Sequence, residues 1–219
     1  IDYKAIENRG DVMLVDMHTH TLHYSMDSGL SLATLVEKAK EVGLDGVCLT
    51  EHNSVFKDLD RIAEFKDSGI TILRGMEIST DIGHVLVVGL KEYTLDMLYY
   101  DKLKAAVSAQ GAAMILAHPT RETEGGGKPK WEKIAEEFDA IEACNGSDSP
   151  GTWIQLQQQC ESANIPSVGG SDAHSYGPIG SCATEFSGDI SSDQDLLDAL
   201  KSKDFKAVIM NNPDEKKSP

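Results

Sequence analysis

Positive charge is scarce in this sequence. Twenty Lys and Arg residues stand against 36 Asp and Glu, a formal net charge of −16 over 219 residues. So acidic a chain has no basic footprint with which to displace counterions, which argues against broad binding to long duplex nucleic acid or to anionic membranes. One nucleotide or a short strand end at a cation-loaded site is compatible with that charge. Long apolar runs are missing too: none approaches the roughly 20 residues that cross a bilayer, and no signal-peptide pattern opens the chain, so a cytoplasmic protein is expected. The chain starts at Ile1 rather than Met, which points to trimming of the N-terminus. The four cysteines, Cys48, Cys144, Cys160 and Cys182, contain no C-x-x-C pair. That spacing suggests neither a zinc ribbon nor a disulfide framework, and buried free thiols are expected. Internal repeats, low-complexity segments and linkers are also missing. Residues 1–210 therefore read as one domain and 211–219 as a polar tail.

What the chain does contain is an alternation of strand and helix signals. Strands are expected at Val12–His18, Gly46–Thr50, Ile70–Ile78, His84–Leu90, Ala112–Ala117, Ala140–Cys144, Ser167–Gly170, Cys182–Phe186 and Phe205–Met210. Helices are expected at Ser31–Val42, Asp58–Lys66, Leu95–Ala109, Trp131–Phe138, Trp153–Ala163 and Asp193–Ser202. In the first of these Leu32, Leu35, Val36 and Ala39 make one apolar stripe, with Ser31 placed to cap it and Gly43 to stop it. Only Ser79–Gly83 separates two strands, which suits a hairpin. Elsewhere the alternation implies a parallel sheet, and about seven such units in one domain favour a closed α/β barrel over an open sheet. Such barrels carry their active sites at the C-terminal ends of the strands.

Metal-competent side chains gather at those ends. Asp16-Met17-His18-Thr19-His20 closes the first strand, where alternate residues share a face, so His18 and His20 point the same way. An isolated H-x-H is weak evidence, but six of the seven histidines sit at or beside expected strand ends. In Thr50-Glu51-His52 a regular strand aims one of the last two side chains inward, and His52 is favoured, with Glu51 as a carboxylate that supports the ligands or faces substrate. Glu77 ends another buried run, where a carboxylate can bridge two cations. His84 opens its strand and becomes a ligand if the hairpin returns it to the level of Glu77; a hydrogen-bonded structural histidine is the rival. His118 ends an apolar strand, which disfavours its charged form and suits a neutral, ligating one. Asp172 and His174 repeat the two-residue spacing of His18 and His20.

The segments Leu14–His52, Gly75-Met76-Glu77-Ile78, Gly83-His84-Val85-Leu86, Ala117-His118-Pro119 and Gly170-Ser171-Asp172-Ala173-His174, with the loop Tyr24-Ser25…Asp27, resemble in order the polymerase-and-histidinol-phosphatase (PHP) domain family. The resemblance covers about the whole chain. One departure is Glu51, where the family more often shows Asp. It implies a distorted (β/α)7 TIM-like barrel and two or three divalent cations, with Zn, Mn and Fe all suited to imidazole and carboxylate ligands. Carried over by position, a first cation would take His18, His20, Glu77 and Asp172, a second Glu77, His84 and His118, and a third Asp27, His52 and His174. Asp27 lies in a loop where a turn-capping Asp is the plainer reading.

The activity so implied is hydrolysis of a small phosphate ester by water activated between the cations, with a nucleotide or short oligonucleotide end as the leading substrate. Glu77, Asp172 and His23 are the expected catalytic groups; His23 or a metal-bound water would protonate the leaving group. Arg121, Lys128 and Glu142 are the expected substrate contacts, although Glu142 suits orientation of a ligand equally. Lys128, Lys130 and Trp131 follow Gly125-Gly126-Gly127, whose glycines would permit a lid to move. Three alternatives stand beside this one: a histidinol-phosphate-like monoester phosphatase, a metal-dependent amidohydrolase or deaminase, and a non-catalytic barrel module.

Overall fold

The computed structural model describes residues 12–122 and 131–210. Its single sheet has nine strands in the order β7-β6-β5-β4-β3-β2-β1-β8-β9. In chain order these are β1 (Val12–Thr19), β2 (Gly46–His52), β3 (Thr71–Thr80), β4 (Gly83–Val88), β5 (Ala113–Leu116), β6 (Ala140–Asn145), β7 (Ser167–Gly170), β8 (Cys182–Ser187) and β9 (Phe205–Ile209). The helices are α1 (Leu32–Glu41), α2 (Leu59–Ala63), α3 (Tyr100–Gln110), α4 (Trp131–Ile134), α5 (Pro150–Ala163) and α6 (Asp193–Ser202).

Local chemistry explains where these elements begin. Ser31, Ser149 and Ser192 each accept a backbone N–H two or three residues inside α1, α5 and α6. The stripe Leu32, Leu35, Val36 and Ala39 buries α1 against Leu14, Val47 and Leu49 of β1 and β2. The expected helix Asp58–Lys66 shrinks to α2, which buries none of its residues and so gains no packing to extend it. The expected helix Leu95–Ala109 divides into a 3-10 turn at Leu95–Leu98 and α3, and the expected helix Trp131–Phe138 into α4 and a 3-10 turn at Ala135–Glu137.

The sheet is mixed, not parallel as the alternation implied. β1/β2, β2/β3, β5/β6 and β6/β7 are parallel, whereas β3/β4, β4/β5, β1/β8 and β8/β9 are antiparallel. Short connections account for the hairpin β3–β4, with Ser79 opposite His84. One apolar cluster holds Val15, Met17, Cys48, Leu73, Leu86, Ile115, Ala140, Val168 and Phe186, drawn from β1 to β8, so the sheet curls around a common interior. Leu196 and Leu200 of α6 join the same cluster. The result is a distorted, nearly closed α/β barrel.

Its seam lies where β7 meets β1 and β8. Asp172 N–H donates to His18 O at 2.7 Å, Gly169 N–H donates to Thr184 Oγ1 at 2.9 Å, and Thr19 bridges Ala173 in parallel. The backbones approach so closely that a Cβ on Gly170 would stand 2.5 Å from His18 Cβ, and one on Gly169 would stand 2.4 Å from Ala183 O. Glycine is required at both positions by proximity alone. Closure also corrects the cysteine expectation. Cys144 of β6 and Cys182 of β8, 38 residues apart, are joined in a disulfide with a Cα–Cα distance of 5.8 Å. Spacing along the chain cannot reveal a pair that only the seam brings together. Cys48 and Cys160 are free and buried, as expected. The tail 211–219 and residues 1–11 lie outside the described residues. No helix among the described residues is long and apolar enough to cross a membrane.

Candidate metal centre

All nine candidate ligands converge at one end of the barrel. Glu77, buried in β3, is their common point. Its Oε1 stands 2.8 Å from His84 Nδ1, 3.0 Å from His118 Nε2 and 3.4 Å from His18 Nε2. Its Oε2 stands 2.9 Å from His52 Nδ1 and 3.4 Å from His20 Nε2. Asp172 Oδ1 lies 3.5 Å from His18 Nε2 and 3.4 Å from His20 Nε2. On the outer side, Asp27 Oδ2 is 3.1 Å from His52 Nε2 and 3.4 Å from His174 Nε2. His52 Nε2 and His174 Nε2 are 3.3 Å apart.

Whether these residues suit a divalent cation can be tested on the donors themselves. His18 Nε2 and His20 Nε2 are buried nitrogens with no hydrogen-bond partner, a costly arrangement unless something else engages the lone pairs. Each faces one oxygen of Glu77 and one of Asp172 at 3.4–3.5 Å. Two ligands on a tetrahedral cation with bonds of roughly 2.0–2.1 Å stand about 3.4 Å apart. Three groups draw their ligand atoms within 4.8 Å of one another: His18/His20/Asp172, His18/Glu77/His118 and His20/His52/His174. The donor set therefore fits more than one cation. Backbone geometry reinforces the impression of a constrained site, since His118 and Asp172 both adopt positive φ, at 27° and 54°.

The electrostatics are those of carboxylates enclosed with imidazoles. Burial opposes the charge on Glu77, but the nearby His18 and hydrogen bonds from His118 and His52 hold its carboxyl well below the ordinary value. Burial likewise opposes the Asp172 anion, and His18, His20 and Arg121 still hold its pKa down. Burial acts to lower the His18 pKa, yet Glu142, Asp172 and Glu77 together hold it well above the usual range. His20 goes the other way: burial lowers it to about 4, so at neutral pH it is an uncharged imidazole.

The residues expected to meet substrate divide. Glu142 is fully buried and points away from solvent: Oε1 takes His18 Nδ1–H at 2.9 Å, while Oε2 takes the His118 N–H at 2.8 Å and Asn145 Nδ2 at 2.9 Å. Its geometry is that of a group orienting two ligands. Arg121 is one-third exposed and donates to Asp148 Oδ1 at 2.8 Å, Asp172 Oδ2 at 2.8 Å and Asn145 Oδ1 at 2.6 Å. Three of its five N–H groups are thus engaged. His23 sets its ring edge-on to Phe56, with centroids 6.2 Å apart, beside Arg61 and Asp58. Among the described residues no contact joins it to the nine ligands, and Lys128 lies outside the described residues. Glu51 is buried against Thr21 and Ser25, which fits the supporting one of its two expected roles. Asp16 is also buried, taking the N–H groups of His18 and Ser171, and burial lifts its pKa to about 6. Asn145 was missed as a site residue. Its signal was a polar side chain closing a buried strand three residues after Glu142.

Known proteins share this arrangement of elements. The profile of the PHP domain matches residues 16–159, and that of a PHP-associated segment matches 157–205. An uncharacterized protein of Methanocaldococcus jannaschii is 25% identical over 116 residues, covering 49% of this chain and 68% of that one. A two-domain protein of Bacteroides vulgatus, described as containing a predicted PHP-like metal-dependent phosphoesterase, superposes with a TM-score of 0.69 at 23% identity. That match covers 90% of this chain and 65% of the other, so the chain spans about two-thirds of that relative's length. Endonuclease Q, solved with a 27-mer duplex carrying an abasic lesion at its active site, superposes with a TM-score of 0.60 at 16% identity, over 87% of this chain and 57% of that one.

Proposed function

Because the chain belongs to the PHP domain family, we propose that it is a metal-dependent phosphoesterase acting on a small phosphate ester, with a nucleotide or short oligonucleotide end as the favoured substrate class. One observation carries the reading: the unpartnered buried nitrogens His18 Nε2 and His20 Nε2 face Glu77 and Asp172 at cation-ligand spacing. The endonuclease Q relative supports a substrate with a phosphodiester. The net charge of −16 favours a short one over long duplex, because little of the surface can hold a polyanion.

Two or three divalent cations, Zn, Mn or Fe, would supply Lewis-acid polarisation of a phosphoryl oxygen and a water acidified toward neutral pH. The chain's own residues do the rest. His18, His20, Glu77 and Asp172 would hold the innermost cation. Glu77 would be shared with His84 and His118, and Asp27, His52 and His174 would form the outer group. Arg121 keeps one Asp172 oxygen occupied, leaving the other to face the two histidines. Its two remaining N–H groups are available to a phosphate oxygen on the exposed side.

The test is elemental analysis of the purified protein together with a screen of nucleotides, short oligonucleotides, sugar phosphates and histidinol phosphate. Bound Zn, Mn or Fe with chelator-sensitive release of phosphate or nucleotide is expected. Turnover of amides or nucleobases without phosphate-ester turnover would instead assign amidohydrolase chemistry, and metal-free inertness would leave a binding module. Arg121→Ala is expected to raise KM several-fold more than it lowers kcat, since a ground-state phosphate contact is lost. A fall in kcat alone would restrict the residue to supporting Asp172.

A further inference from the structure

An imidazole that offers Nε2 to a cation must carry its proton on Nδ1, so a ligating histidine needs a tautomer as well as a position. His18 obtains its tautomer directly from Glu142, which accepts from Nδ1 at 2.9 Å. No carboxylate touches His20 on that side. Its Nδ1 stands 3.3 Å from the hydroxyl of Ser25, a residue on the loop that follows β1.

The proton inventory of that hydroxyl is complete. A serine Oγ has one hydrogen and two lone pairs. The hydrogen goes to Glu51 Oε2 at 2.5 Å. One lone pair takes the backbone N–H of His52 at 3.3 Å. The second lone pair is left for His20, whose Nδ1 must then be the donor. Glu51 can accept that hydrogen because every other group around it is a donor as well. Thr21 N–H lies 3.2 and 3.1 Å from its two oxygens, and Thr21 Oγ1 donates at 2.6 Å. Glu51, Ser25 and His20 are all buried, so bulk water does not compete for these bonds.

We infer that Glu51 and Ser25 are positioning residues that lock His20 as its Nδ1–H tautomer, so that the Nε2 lone pair points between Glu77 and Asp172. The inference rests on the reading of His20 as a metal ligand and deepens it. Two carboxylates outside the ligand set, Glu142 directly and Glu51 through a hydroxyl, thereby impose the same tautomer on the two histidines of the first strand. The Glu51 of Thr50-Glu51-His52 thus acts on His20, not on substrate.

The test compares wild type with Ser25→Ala, Ser25→Thr and Glu51→Ala. Long-range nitrogen–proton spectra of the metal-free protein at neutral pH read the His20 tautomer, and competition with a chromophoric chelator reads Zn2+ affinity. Wild type and Ser25→Thr should show His20 as Nδ1–H. Ser25→Ala, which removes the acceptor, should shift it toward Nε2–H and weaken the tightest Zn2+ site by about 10- to 100-fold. Glu51→Ala should act in the same direction, because the freed Ser25 hydrogen can then turn to His20 Nδ1. The His18 Nδ1–H bond to Glu142 should be unchanged in all variants, which separates the effect from general loosening. An unchanged His20 tautomer in Ser25→Ala, with Zn2+ affinity within twofold of wild type, would overturn the inference. Failure of wild type itself to bind Zn2+, Mn2+ or Fe2+ would overturn the metal-centre reading instead, and the tautomer spectra would still decide the role of Ser25.

Discussion

Glu77→Gln is expected to cut phosphate-ester hydrolysis by roughly three orders of magnitude, the several kcal/mol of transition-state stabilisation that bound cations contribute, while the barrel stays folded. The carboxylate lies within 3.4 Å of nitrogens on five histidines, His18, His20, His52, His84 and His118. Glutamine keeps the shape and one acceptor oxygen but turns an N–H2 group toward imidazole nitrogens on the other side, and the negative charge that two inner cations would share is gone. Steady-state turnover, metal content of the isolated variant and circular dichroism together check it. Wild-type turnover with a full metal complement would refute the bridging role. Collapse of the fold would mean that the residue matters first as the counter-charge of a buried imidazole cluster.

The second large effect concerns stability. Breaking the Cys144–Cys182 link by Cys182→Ala should cost about 4 kcal/mol, because the bond closes a chain segment of 38 residues and its loss frees the unfolded chain. For a domain of this size that corresponds to a fall in melting temperature on the order of 10 °C. Cys48→Ala serves as the control, since that thiol is free. Thermal unfolding of both variants under non-reducing conditions decides the matter, and equal melting temperatures would show that the pair adds nothing. Catalysis is expected to suffer as well. Cys144 directly precedes Asn145, which accepts from Arg121 and donates to Glu142 and Asp172.

Much of the site was legible because strand ends are legible. An apolar run that stops at His18, His52, Glu77 or His118 announces both a buried strand and what sits at its mouth. The hairpin that rescues His84 followed from only five residues between two strands. Other features depend on neighbours, which alternation along one strand does not reveal. The antiparallel docking of β8 on β1, the disulfide across the seam and the pairing of Arg121 with Asp172 each join residues far apart in sequence. The partners of Glu51 were hidden for a related reason. Parity says whether a side chain points inward, but only the fold of the loop after β1 brings Thr21 and Ser25 to meet it. The polar character of Glu142 was visible, yet its distance from solvent was not.

The seam has a consequence for the birth of the molecule. β1 is made long before its partners on that side, the Gly169–Asp172 segment at the end of β7 and the strand β8, which lie far along the sequence. Until then His18 and His20 have neither Asp172 nor the enclosing wall. Nascent or truncated chains ending before about residue 187 should therefore be catalytically silent and slow to settle, since contacts that span so much sequence form late.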